Sequence, residues 1–189
     1  MGLGVCIDLH RNMQLSNQQT LPVSQQQAWE ALNDVSLLQA SIPGCESITP
    51  TGDNQYDVAI MAAVGPVKAR FKGKLRLQDL QPPTSYTMHF EGQGGPAGHG
   101  KGSAQVRLES VGARETVLHY SANASVGGKL AQIGSRLVDM AAQKMANDFF
   151  ATFTARLSER YGAAAPVAGP PADGAWARFV AWLKRLFGG

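Results

Sequence analysis

The feature that most constrains this chain is a change of period. From 46 to 126 the apolar residues recur at every second position, and a proline-free stretch rich in Ala, Leu, Met and Phe follows from 129 to 161. Strict alternation builds strands with one apolar and one wet face, the signature of an antiparallel sheet. It is clearest where Phe71, Gly73, Leu75 and Leu77 alternate with Lys72, Lys74, Arg76 and Gln78. In the later stretch Ile133, Leu137, Ala141, Met145, Phe149, Phe153 and Leu157 form an i+4 row. Such a row drifts by about 40° per step around a helix, which suits a helix lying diagonally across a twisted sheet. Each element leaves an apolar face that only the other can cover.

Turn chemistry divides the alternating region into strands at 56–64, 67–80, 85–92, 101–109 and 116–126, and 14–21 reads as a strand ahead of them. Ser24 with Gln27 makes a capping box before Ala28, Trp29, Ala31 and Leu32. Asp34 can cap a second short helix, stopped by Pro43-Gly44. The expected class is α+β, a curved antiparallel sheet gripping a long C-terminal helix. The domain is expected over 13–161, with 1–12 as an extension whose Met1 or Met13 is the true start. A Pro/Ala/Gly linker (GAAAPVAGPPA, 162–172) and a short amphipathic helix at 173–189 follow. Cys6 stands where the opening MGLGVC would need Ser or Thr for myristoylation, so that reading is discounted.

Charge sharpens the picture. The net charge is only +3, yet Lys68, Arg70, Lys72, Lys74 and Arg76 put five cations into nine residues without an acid, and the tail is basic too. The rest of the chain is therefore net acidic. Basicity is local, as on a surface that meets an acidic partner or anionic lipid, or on a solvated face that discourages aggregation. Nucleic acid is disfavoured, because no aromatic residue interleaves the cationic face to stack bases.

In the tail, Trp176, Phe179, Val180, Trp182, Leu183, Leu186 and Phe187 fall within an arc of about 160° on a helical wheel. Arg178, Lys184 and Arg185 occupy the remainder. Large apolar residues opposite basic ones suit a helix lying in an anionic membrane interface. A partner's groove or the protein's own domain are the alternatives. No apolar run reaches the ~18–20 residues that span a bilayer. With two cysteines and no secretory signal, a reducing cytoplasm is expected, with the protein peripheral on the inner face of the membrane.

Catalytic and metal patterns do not emerge. The four histidines lack metal spacing, and His89 and His119 fall on the polar phase of their strands. The glycines from Gly92 to Gly102 lead into a strand and lack the Gly-Lys-Ser/Thr ending of a phosphate loop, so they read as a hairpin turn. No catalytic residue, metal or cofactor is expected. A pocket is. Small residues (Gly73, Gly102, Ala104, Ala122, Ala124, Gly134, Ala141) fall where helix and sheet should face each other. They either let the two pack closely or leave a cavity lined by Met61, Phe71, Met88, Phe90, Leu137, Met140 and Met145, adaptable enough for an irregular apolar ligand.

Three stretches, IPGCESI (42–48), GPVKARFKGKLRL (65–77) and GGKLAQIGSRLVD (127–139), resemble the CoxG family of carbon monoxide dehydrogenase proteins. The resemblance implies the START-like (SRPBCC) helix-grip fold with an apolar cavity between sheet and helix. It also implies an accessory protein for a molybdenum hydroxylase such as carbon monoxide dehydrogenase, brought to the cytoplasmic membrane. A quinone or lipid held in the cavity without covalent attachment extends that expectation, since the electrons such enzymes release must reach the respiratory chain. The rival expectations are a START-like cavity enzyme of cyclase or hydrolase type, with Tyr120 and His89 as first suspects, and a general carrier of apolar ligands.

Overall fold

The computed structural model describes residues 11–162. The elements run β1 (Arg11–Leu21), α1 (Gln25–Leu32), α2 (Val35–Ser41), β2 (Cys45–Gly52), β3 (Gln55–Val64), β4 (Val67–Gln81), β5 (Ser85–Gln93), β6 (His99–Gly112), β7 (Glu115–Gly127), α3 (Lys129–Gln132) and α4 (Ser135–Tyr161). The strands form one antiparallel sheet of seven, ordered β1-β7-β6-β5-β4-β3-β2. Helix α4 touches edge strand β1 on one side and β3 on the other, so the sheet curls around it. This is the helix grip that the two periods require.

Local signals acted as expected. Ser24 caps α1 through a complete capping box with Gln27, and the Asp34 carboxylate accepts from the Leu37 N–H at the start of α2. The glycine-rich segment is a short 3-10 turn at Gly95–Ala97 joining β5 to β6. Three findings depart from expectation. Strand β1 starts at Arg11, and Asn12 already pairs with Ser125, so pairing begins within the presumed extension. Strand β2, which periodicity did not single out, forms the far edge. The helical stretch is broken at Gly134, whose φ of 100° is open to glycine at little cost and ends the short turn α3 before α4 begins.

The core is divided. A large cluster joins Ala28, Trp29 and Leu32 of α1 to Tyr86, Val106, Leu108 and Leu118 of the sheet and to Phe150, Phe153 and Leu157 of α4. Trp29 meets Tyr86 edge-on at 5.7 Å, and Phe149 stacks on Phe153 at 5.3 Å. A smaller cluster of Val126, Leu130 and Val138 sits at the other end, with Met13, Val64, Val67, Phe71 and Ile133 against it. Two short helices close one end of the grip, and a hairpin and α3 flank the other.

Candidate functional site

Directly opposed residues of an antiparallel pair share a face, so the register sorts the strands. One inner row runs Met13, Ala124, Gly102, Phe90, Leu75, Tyr56, and the next runs Leu15, Ala122, Ala104, Met88, Leu77. These rows lie between the two clusters and face α4. Leu15, Tyr56, Leu75, Met88, Phe90 and Ala122 are all only half-buried. A helix packed tightly on them would have sealed them. Small residues on the sheet and Ala141, Ala142 and Ala146 on α4 therefore leave an apolar crevice in the middle of the grip.

Aromatic rings brace it against glycine backbone. A Cβ added to Gly102 would sit 2.8 Å from Phe90 Cζ, and one added to Gly94 only 2.4 Å from Phe71 Cε1. Phe90 thus lies over Gly102, its partner across the ladder, and Phe71 over the turn after β5. Tyr120 stacks on Phe150 at 5.1 Å at the closed end, and burial raises its hydroxyl above the usual tyrosine range.

The seven residues expected to line a cavity separate. Phe71, Met88 and Phe90 stand on the helix-facing side of the sheet, and Met145 is half-buried at the margin of the inner arc of α4. Met61 pairs with Arg70 and so lies on the outer face, away from the crevice. Leu137 and Met140 are 41% and 59% exposed. Relative to Phe153 they lie about 160° and 140° around the helix, while Val138 takes the inward position at that end. The i+4 row drifts out of the interface before it reaches Leu137. Sequence reasoning overlooked Met13, Leu15, Tyr56 and Leu75, whose alternation on β1, β3 and β4 is the signal that places them inside.

The five cations all stand on the outer face of β4 and are all exposed. Their neighbours were not visible in the local sequence. A bulge in β2 between Cys45 and Ser47 leaves Glu46 unpaired, and Arg70 reaches across β3 to it, Nε to Oε2 at 2.7 Å and Nη2 to Oε1 at 2.9 Å. Lys74 is flanked by Asp57 on β3 and Glu91 on β5, and Glu91 in turn faces Lys101. Lys68 faces Ala63, Lys72 lies between Ala59 and Gln93, and Arg76 lies between Gln55 and His89. His89 is exposed on this outer face, remote from the crevice, which leaves Tyr120 as the inward-facing one of the two catalytic suspects. His119 lies 3.3 Å from a Glu109 carboxylate oxygen.

The tail residues Trp176, Arg178, Phe179, Val180, Trp182, Leu183, Lys184, Arg185, Leu186 and Phe187 lie outside the described residues. Among the described residues no helix is long and apolar enough to cross a membrane.

A seven-stranded antiparallel sheet curled around one long helix, with an apolar space between them, defines a START-like protein. Solved structures of that class share it. A conserved protein from Geobacillus kaustophilus is 27% identical, covering 78% of this chain and 96% of its own at a TM-score of 0.74. The ZhuI aromatase/cyclase from Streptomyces sp. R1128 is 15% identical over 82% of this chain and 99% of its own, with a TM-score of 0.62. A START superfamily protein from Mycobacterium smegmatis is 10% identical over 77% and 97%, with a TM-score of 0.60. The latter two likenesses speak for the fold alone. No curated protein matches the chain. The family model for the carbon monoxide dehydrogenase protein CoxG matches residues 18–158, and the chain belongs to that family.

Proposed function

We propose that this chain is a non-catalytic accessory protein that brings a molybdenum hydroxylase of the carbon monoxide dehydrogenase type to the cytoplasmic membrane. Its crevice takes a quinone or a similar apolar molecule, the basic face of β4 meets the hydroxylase, and the amphipathic tail rests on anionic lipid. The observation that carries this reading is the crevice: apolar, bounded by Phe90 and Met88 on the sheet, and left half-open between two packed clusters. A flat apolar ring system suits such a gap, because burying apolar area is favourable and a methionine margin adapts its shape. Family membership supports the accessory role.

The test is organic extraction of purified full-length protein followed by mass spectrometry. A quinone recovered near one per chain supports the reading; an empty extract from protein that still binds the hydroxylase leaves an adaptor without cargo. Membrane attachment is tested separately. Trp176→Glu with Phe179→Glu should release the protein from sedimenting membranes, and a variant that still pelleted would remove the tail from the proposal.

One observation favours a second reading. Tyr120 combines inner-face placement, partial burial and a raised hydroxyl pKa, as a cavity acid would. A Tyr120→Phe variant that retained ligand but lost turnover of a bound cyclisable substrate would favour an enzyme.

A further inference from the structure

Of the five cations on β4, we infer that Lys68, Lys72 and Arg76 alone contact an acidic face of the hydroxylase, while Arg70 and Lys74 are neutralised within the sheet. This assignment rests on the docking reading above.

Local charge balance separates the two sets. Arg70 forms a two-pronged ion pair with Glu46, whose placement on the bulge directs it over the sheet toward that guanidinium. Lys74 sits in a ladder that alternates in sign across four strands, from Lys101 through Glu91 and Lys74 to Asp57. Its field is largely cancelled by the two adjacent carboxylates. The remaining three have only neutral or weakly basic cross-strand partners: Ala63 for Lys68, Ala59 and Gln93 for Lys72, Gln55 and His89 for Arg76. The Arg76 guanidinium donates to Gln55 Oε1 at 3.5 Å, which leaves its charge intact.

The spacing is regular. Four residues separate Lys68 from Lys72 and Lys72 from Arg76, about 13–14 Å at ~3.4 Å per residue along a strand. That exceeds the screening length of about 8–10 Å at physiological salt, so the three act as separate point contacts rather than one diffuse field. The surface they fit is a protein face carrying carboxylates at a matching interval.

The test measures binding of the full chain to purified carbon monoxide dehydrogenase holoenzyme at low and physiological salt. Lys72→Gln should weaken binding about fivefold to tenfold, chiefly in the association rate. Removing the ion pair with Arg70→Gln and Glu46→Gln together, which leaves net charge unchanged, should move it less than about twofold. Glu46→Gln alone releases Arg70 and should tighten binding. Circular dichroism confirms that each variant is folded. Equal losses for the pair deletion and for Lys72→Gln would overturn the assignment while sparing the docking reading. Wild-type protein that fails to bind the holoenzyme would overturn both. Vesicles of phosphatidylglycerol and phosphatidylcholine form the last arm. If the Lys72→Gln loss follows vesicles and leaves the holoenzyme unaffected, the face meets lipid and the inference is wrong.

Discussion

The two ends of helix α4 are made from similar residues and treated differently. Near its C-terminus Phe153 and Leu157 are fully buried, whereas near its N-terminus Leu137 and Met140 stand 41% and 59% exposed. The difference comes from what else the chain supplies. At the closed end α1 and α2 fold over the sheet and present Trp29, Leu32, Leu37 and Leu38, so α4 is covered from several sides. At the open end the cover is α3 and the β3–β4 hairpin. A grip that is sealed at one end and loose in the middle can keep its fold while leaving apolar surface for a ligand.

The largest effects should come from the sealed end. Phe153→Ala removes a fully buried ring stacked on Phe149 and should cost about 3–5 kcal/mol in denaturant unfolding. A matched pair makes the comparison directly. Leu157→Ala should cost about 2–5 kcal/mol, and Leu137→Ala under about 1 kcal/mol, because a partly exposed side chain leaves little cavity. Equal costs would mean that both ends are sealed in solution, and the crevice would lose its physical basis.

The crevice floor comes next. At Gly102 an added Cβ would lie 2.2 Å from the Asn123 carbonyl oxygen and 2.8 Å from Ala124 Cα. Backbone cannot yield as a flexible side chain does, so Gly102→Ala should cost about 1–3 kcal/mol and displace Phe90. Ala122→Phe addresses the same space from a neighbouring half-buried position. A ring added there should fill the crevice and abolish recovery of a bound apolar molecule with little change in unfolding. Retained ligand would place the binding site elsewhere.

How much of this was legible follows from the kind of information each feature needs. The capping box at Ser24 and Gln27, the Asp34 cap and the alternation along β4 are local, and each formed where the sequence places it. The face taken by Met61 was not legible, because 58–64 is apolar at every position and both phases of a strand fit it. The outward turn of Leu137 depends on where α4 departs from the sheet, and the break that starts α4 rests on one glycine in an otherwise helical run. The neutralisation of Arg70 needed tertiary register, since Glu46 is 24 residues away and reaches it only through a bulge. The basic stripe was visible in the sequence; which of its charges are compensated was not.

The smallest expected effect probes the latch that keeps the closed end closed. Arg160, in the last turn of α4, pairs with Asp34 at the start of α2 and so ties the far end of the helix to the two-helix cover. The hydrogen bond from Arg160, helped by the Leu37 N–H, holds the Asp34 carboxyl below the usual carboxylate range. A depressed pKa means that the folded protein prefers the ionised form. The stability this supplies is therefore complete above about pH 4 and fades as the pH falls through the lowered folded value. Asp34→Ala should cost about 1 kcal/mol at neutral pH, mainly through the lost cap, since an exposed pair adds little. The gap between wild type and variant should shrink as unfolding is repeated toward pH 3. A gap that stayed constant across that range would show that the Asp34 charge does not hold the cover in place, leaving packing by Trp29, Leu32 and Phe153 as what closes that end.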